Sequence, residues 1–263
     1  MKHIKAFTMA EVLITLGIIG IVAAMTFPSL LGKYRRKVLE TQFKKSVSVI
    51  SQAIMQTKVK LGSDKFVGYC VQYESNGISD ASGYVVAQDC YEAFFKNFVN
   101  IAGNKSGTSL RTYNIVRTDE SLKTFNGLQT QGESSLGGLY DVIYLTNIMP
   151  DGSFLNMMIN EYQFYIGVDI NGQKGPNRLG HDIFIFTIDK NNDTISFANK
   201  PQNFTEEEIE DGEYEEEYWK ERKGNPCSFT SKQKANGIGC AWYALRDMCP
   251  DGSGRSYFEC LPD

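Results

Sequence analysis

The sequence predicts an α+β protein in which one long N-terminal helix packs against an antiparallel β-sheet. Three features predict this fold: an apolar run at residues 7–31, an amphipathic stripe that continues it to about residue 61, and strand-like segments across residues 141–198. A helix with one apolar stripe and a sheet with one apolar face can bury each other in a two-layer core. The chain has 263 residues, which is long enough for such a core.

The apolar run contains one charged residue, Glu11. As a helix the run would be about 37 Å long, which exceeds the hydrocarbon thickness of a bilayer, about 30 Å. A carboxylate in a membrane span costs free energy unless it is paired, so Glu11 predicts a functional site. Cleavage after Ala6 would give Phe7 a free amino group, which is a cation. That amine would lie one helical turn from Glu11 of its own chain and could also meet Glu11 of a neighbouring chain.

These residues resemble the N-terminal segment of the type IV pilin and type II secretion pseudopilin family. The resemblance rests on the basic leader at residues 1–6, on Ala6 before the cut, on Phe7 after it and on Glu11 at the fifth position of the cut chain. It implies a structural subunit of a filament, cut between Ala6 and Phe7 by a prepilin peptidase that also methylates the new amine. It also implies a pilin-like fold and further assembly residues within the apolar run: Gly17, Gly20 and Pro28.

The partners and the location are likewise implied by the resemblance. The partners would be other pilin subunits in a helical filament, the prepilin peptidase, an inner-membrane assembly platform and the lipid bilayer before assembly. A single-pass anchor in the bacterial inner membrane would hold the head in the periplasm, and the filament would lie in the periplasm or on the cell surface. Basic residues beside a span usually stay cytoplasmic, so the resemblance rather than the charge pattern sets this orientation. The sequence shows no basic patch with interleaved aromatic residues that would argue for direct nucleic-acid binding, and such binding is not predicted.

Residues 32–61 are expected to form the amphipathic half of the same helix. Apolar residues recur there at spacings of three, four and seven: Leu39, Phe43, Val47, Ile50, Ile54 and Leu61. The helix is expected to end at Leu61, before Gly62. The segment between Gly20 and Pro28 is its weakest part. That segment predicts either a mild kink or, by the resemblance, a stretch that loosens in the filament.

Residues 62–263 are expected to form the globular head. A short helix is predicted at residues 90–101, and residues 200–226 are predicted to be an exposed insertion that contains nine acidic residues at 205–217. A four- or five-stranded antiparallel sheet is predicted from five segments separated by turn residues: 141–149, 153–159, 163–170, 182–188 and 194–198.

All six cysteines follow the apolar run: Cys70, Cys90, Cys227, Cys240, Cys249 and Cys260. An even number beyond a membrane span is typical of disulfides in an oxidising compartment. We expect Cys70 to pair with Cys90 and the last four to pair among themselves. Residues 227–263 are thus a cysteine-rich C-terminal region with a short regular segment at residues 241–248. The resemblance implies that this disulfide-bounded region is the variable, surface-exposed part of the head.

The loop between the third and fourth predicted strands is a candidate calcium site. Oxygen ligands on a flexible loop suit Ca²⁺, and the loop loosely resembles the acidic calcium loop of major pseudopilins. The alternative is ordinary turn chemistry, which needs the same residue types. A second acidic loop, at residues 189–193, is expected to be a hairpin turn. No other cofactor is predicted, and the candidate calcium ligands are Asp169, Asn171, Asn177 and Asp182.

The sequence does not predict an enzyme. The usual hydrolase, metalloprotease, phosphate-loop and dinucleotide motifs are missing, and of the two histidines His3 is in the leader and His181 is in a polar loop. The alternative function is a disulfide-bonded binding protein that is secreted or membrane-anchored through a signal segment cut near Ala24. Glu11 argues against that alternative, because a signal segment gains nothing from a buried carboxylate.

Overall fold

The computed structural model describes residues 8–73, 84–96, 123–128, 147–160, 163–172, 174–196, 226–232 and 235–262. The predicted cleavage site at Ala6 and Phe7, and the acidic run at residues 205–217, lie outside these residues. Within them the predicted α+β architecture is confirmed, with a long helix packed on an antiparallel sheet.

Helix α1 spans Met9–Leu61. It ends where the sequence predicted, because Gly62 adopts a left-handed conformation (φ 64°) and its N–H donates to the carbonyl groups of Lys58 and Val59. The helix passes through Gly20 and Pro28 without interruption. The apolar and amphipathic segments are therefore two halves of one helix.

The other elements of the described chain follow in order: α2 Phe66–Cys70, β1 Val71–Tyr73, β2 Tyr84–Val86, α3 Gln88–Phe95, β3 Asn147–Ile148, β4 Phe154–Asn160, β5 Gln163–Asp169, β6 Ile183–Ile188, β7 Ile195–Ser196, α4 Cys240–Leu245 and a 3₁₀ turn Phe258–Cys260. Strands β3 to β7 form one antiparallel sheet in sequence order, and β1 pairs with β2 separately. These five strands overlap the five predicted segments. The sequence analysis missed α2 and the β1–β2 pair.

The amphipathic stripe of α1 forms one wall of the core. Phe43, Ile50 and Ile54 are buried, and Leu39, Val47 and Leu61 pack against them at the edge. The ring of Phe43 lies 4.6 Å from the ring of Phe184 on β6 and 5.4 Å from that of Phe258, between centroids. The prediction that the stripe packs on the sheet is confirmed.

Three disulfides connect the described cysteines: Cys70–Cys90, Cys227–Cys240 and Cys249–Cys260. The expected pairing is confirmed, and the structure chooses among the open pairings of the last four cysteines. The first bridge joins α2 to α3. The third closes the loop that carries Tyr257 and Phe258 into the core.

The described C-terminal region is partly buried and partly exposed, and its expected place on the surface of the head stays a prediction. Tyr257 is fully buried, and its hydroxyl donates to the carbonyl of Gly180 in the β5–β6 loop. A Cβ at Gly180 would lie 2.7 Å from Cβ and Sγ of Cys240, and φ there is 79°. Only glycine allows this loop to lie so close to the Cys227–Cys240 bridge.

Candidate assembly site at the N-terminal half of α1

Helix α1 begins with a capping box that includes Glu11. Thr8 is the N-cap, in extended conformation, and its hydroxyl accepts a hydrogen bond of 3.2 Å from the backbone N–H of Glu11. The Glu11 carboxylate accepts from the Thr8 backbone N–H and from the Thr8 hydroxyl, each at 2.8 Å. These reciprocal bonds satisfy the backbone N–H groups of Thr8 and Glu11, which at the start of a helix have no carbonyl partner within the helix. Within the described chain, Thr8 thus provides the hydrogen-bond partners of the Glu11 carboxylate.

The first half of α1 presents its apolar side chains to the outside. Large side chains from Met9 to Leu31 are at least 43% exposed, and Leu13 and Leu30 are 67% and 63% exposed. By length and composition α1 is the one helix in the described residues that is able to cross a membrane, with a mean hydropathy of 2.1 over its most apolar window. Such a surface is consistent with membrane anchoring, since contiguous exposed apolar area marks membrane or protein contacts.

Gly17 and Gly20 have no structural function within the described chain. A Cβ built on either glycine would meet no atom within 4 Å. Small residues in an apolar helix allow another helix to approach closely. These two positions can therefore serve contacts with another molecule, as the sequence analysis expected of assembly residues.

The structure brings the four candidate calcium ligands into the single loop that joins β5 to β6. Asp169 Oδ1 accepts the backbone N–H groups of Asn171 and Gly172, at 3.1 and 2.9 Å. The Asp182 carboxylate accepts those of Asn177 and Arg178, at 2.8 and 2.7 Å. Turn chemistry thus accounts for Oδ1 of Asp169 and for the Asp182 carboxylate. It does not account for Asn171 Oδ1 and Asn177 Oδ1, which are buried without a hydrogen-bond partner.

The second acidic loop is a turn with a structural function. Asp189 Oδ1 accepts the backbone N–H of Asn191 at 2.7 Å, as a turn requires. Asp193 is buried and accepts from Lys58 Nζ at 2.9 Å and from the backbone N–H groups of Phe66 and Val67 at 2.9 and 3.1 Å. Burial alone would raise the pKa of Asp193, but these hydrogen bonds outweigh it and lower the pKa.

His181 is buried, although it lies in a polar loop of the sequence. Its Nε2 lies 3.0 Å from the carbonyl oxygen of Phe125, a contact that the neutral ring makes with a proton on that nitrogen. Burial, and then the charge of Arg178, lower the pKa of His181 to about 3. No cluster of three or more His, Cys, Asp or Glu side chains suited to a metal occurs among the described residues.

Comparison with known proteins identifies the N-terminal segment. Residues 1–27 match the family model of the prokaryotic N-terminal methylation motif, the signature of prepilin-type segments of type IV pilins and pseudopilins. That family is structural rather than enzymatic. No curated protein and no solved structure matched the chain. The match covers Glu11, Gly17 and Gly20 but does not extend to Pro28 or the head.

Sequence reasoning missed three functional or structural contacts that the geometry reveals. Thr8 stands three residues before Glu11, and this capping-box spacing was sufficient to predict their pairing. Asp193 and Arg36 carry no such local signal. Asp193 contacts α2, and Arg36 Nη1 donates to the carbonyl of Leu261 at 3.1 Å, so both contacts depend on the tertiary fold.

Proposed function

We propose that this chain is a structural subunit of a pilin-type filament, either a type IV pilus or a type II secretion pseudopilus. The observation that carries the proposal is the first half of α1, which bears the methylation motif, exposes its apolar side chains and starts at a hydrogen-bonded Glu11. A prepilin peptidase cuts the precursor between Ala6 and Phe7 and methylates the new amine. The subunit waits in the inner membrane, with its head in the periplasm, until an assembly platform inserts it among other subunits.

In this proposal Glu11 exchanges one partner for another. Before assembly, the N–H and hydroxyl of Thr8 satisfy the carboxylate, which lowers the cost of placing it in the membrane. During assembly the cationic amine of Phe7 from a neighbouring subunit approaches the same carboxylate. A charge-assisted contact of this kind fixes the axial register between subunits. Gly17 and Gly20 let the helices approach, and Pro28 with Gly20 loosens the helix between them.

The experiment that tests this function compares Glu11→Ala with the unmodified chain in its native host. We expect Glu11→Ala to be cut at Phe7 and to reach the membrane but to yield at least tenfold less filament. N-terminal sequencing and intact mass report the cut, and sedimented filaments report assembly. The control is Glu259→Ala, which removes an exposed carboxylate of the head and should assemble normally.

Normal assembly of Glu11→Ala would contradict the pairing. A chain that begins near Met25 would instead support the alternative function, a secreted binding protein with an ordinary signal segment. A chain that keeps Met1 would show that the peptidase does not process Ala6.

We further propose that the β5–β6 loop binds Ca²⁺ within the head. The two amide oxygens of Asn171 and Asn177 favour this second function, because buried acceptors without donors are rare and oxygen donors suit the ion. Asp169 and Asp182 would supply the negative charge. No metal-dependent step is needed for assembly itself.

Calcium binding is tested by the melting temperature of the full chain in detergent, with Ca²⁺ and then with excess chelator. We expect Ca²⁺ to raise the melting temperature, and Asn171→Ala combined with Asn177→Gly to abolish that rise. Glycine at 177 tolerates the φ of 55° found there. Asn191→Ala, in the neighbouring turn, is the control and should respond like the unmodified chain. An equal melting temperature in Ca²⁺ and chelator would contradict the site.

A further inference from the structure

We propose that the basic residues directly after the apolar half of α1 bind the phosphate headgroups of anionic phospholipids. These residues, which we name the basic girdle, are Lys33, Arg35, Arg36 and Lys37. The inference rests on the proposed function, because it requires the apolar half to cross a bilayer. It adds a ligand class and a site that membrane anchoring alone does not specify.

The position of the girdle along the helix places it in the headgroup layer. Leu31, 50% exposed, is the last large apolar side chain of the first half, and Lys33 follows two residues later. From residue 33 to residue 37 the helix rises about 6 Å. The headgroup region on each side of a bilayer is also about 6 Å thick. When the apolar half fills the hydrocarbon core, the girdle therefore coincides with the phosphates.

The girdle is not confined to one face of the helix. Successive residues of an α-helix are about 100° apart, so the four cations are distributed over an arc of about 200° around the axis, and Tyr34 lies in the remaining gap. Tyr34, the fifth residue, is 66% exposed. Tyrosine is enriched at membrane–water interfaces because its ring is apolar and its hydroxyl is polar. The cations and the tyrosine together have the composition of an interfacial anchor.

Two of the four cations have no partner among the described residues. Among the residues that the structure describes, Lys33 and Arg35 are exposed and make neither a hydrogen bond nor an ion pair. Lys37 pairs with Glu40 at 2.9 Å. Arg36 holds the carbonyl of Leu261, which fixes the C-terminal end of the head at the level of the girdle. The two unpaired cations are thus available to phosphate at the level where the head meets the membrane.

Electrostatics attract these two side chains to an anionic lipid surface. Anionic headgroups attract a basic residue near the surface by an amount that corresponds to about fivefold in affinity, and about 30-fold for two. Basic residues next to a span ordinarily disfavour translocation of that side. Headgroup binding therefore gives the four cations a function on the translocated side of the membrane, where they would otherwise only oppose translocation of the head.

The experiment measures lipid binding to the full chain in a neutral detergent by native mass spectrometry. Phosphatidylglycerol and phosphatidylcholine with identical acyl chains are titrated separately at low ionic strength. The unmodified chain should prefer phosphatidylglycerol, and Lys33→Gln with Arg35→Gln should lower that preference by about 30-fold. Added salt should reduce the preference, because exposed charges are screened. The matched control, Lys60→Gln with Lys190→Gln, removes two exposed cations elsewhere and should keep the preference.

Three outcomes would contradict the proposal that the basic girdle binds anionic headgroups. They are equal binding of the two lipids by the unmodified chain, an equal loss in the control, and unchanged lipid preference in a girdle variant that no longer assembles. The third would mean that the cations contact neighbouring subunits. N-terminal sequencing of the same membrane preparation separates this inference from the proposed function. A chain that starts at Phe7 without lipid preference refutes only the girdle, whereas a chain that starts near Met25 refutes the filament subunit.

Discussion

The two halves of α1 are continuous in backbone but opposite in environment. In the second half Ile50 and Ile54 are each 1% exposed, because the sheet and the C-terminal region cover them. In the first half Leu16 and Ile21 are each 60% exposed and receive no such cover from the described head. The comparison teaches that apolar character alone does not indicate where a helix packs. The second half is stabilised within its own chain, whereas the described head leaves the first half uncovered.

The largest expected effect is a difference in the free energy of unfolding between two variants, each of which truncates one phenylalanine in one half of α1. Phe43→Ala should lower the free energy of unfolding of the head by about 3–5 kcal/mol, because Phe43 is buried against Phe184 and Phe258. Phe27→Ala should change it by less than about 0.5 kcal/mol, because Phe27 is 58% exposed. Denaturant titration of the full chain in detergent, followed by near-UV circular dichroism, measures both. Equal losses would mean that the head covers the first half as well.

The next effect concerns the end of the head-bound half, where Lys58 meets Asp193. Asp193→Ala should lower the free energy of unfolding by about 3 kcal/mol, since the N–H groups of Phe66 and Val67 lose their acceptor in a buried place. Asp193→Asn keeps an acceptor and suits the positive φ, so it should lose less. Asn191→Ala, in the same turn, serves as the control. A loss in Asp193→Asn as large as in Asp193→Ala would assign the stability to the ion pair with Lys58.

The smallest effect is a pH dependence that belongs to the head alone. The pKa of His181 is about 3 in the folded chain, against an ordinary 6.5, so below pH 6.5 the unfolded chain binds a proton that the folded chain excludes. The free energy of unfolding should therefore fall by about 1.4 kcal/mol for each pH unit below that value. Measurements between about pH 6 and pH 5.5 isolate this group best, because carboxylates, with ordinary pKa values near 4, stay ionised there in both the folded and the unfolded chain.

His181→Gln tests the assignment of the pH dependence. Its side-chain amide can donate to the Phe125 carbonyl without titrating, so the slope between about pH 6 and pH 5.5 should disappear. The helicity of the first half of α1 should not change over the same pH range in either chain. A slope that persists in His181→Gln would mean that another group carries the proton.

Features that depend on near neighbours in the chain could be predicted from the sequence. The stripe from Leu39 to Leu61 and the stop at Gly62 follow from helical periodicity and from glycine's access to positive φ. The bridge between Cys70 and Cys90, which lie 20 residues apart in the sequence, was also predicted. The candidate calcium ligands lie in one loop, and calcium binding stays a prediction; the alternative of turn chemistry is seen where Asp169 and Asp182 accept backbone N–H groups.

The sequence by itself determined the long helix, its division into an apolar and an amphipathic half, the strand segments and the prepilin-type segment with Glu11. Each of these depends on residue types within a few positions of one another, which set local conformation and local charge. Only the tertiary structure decided the burial of His181, the hydrogen bonds that Asp193 accepts from α2, the pairing of the last four cysteines and the contact between Arg36 and Leu261. The contacts of His181, Asp193 and Arg36 join residues far apart in the chain, and the last four cysteines allow three pairings, so only the packing of the whole core selects them.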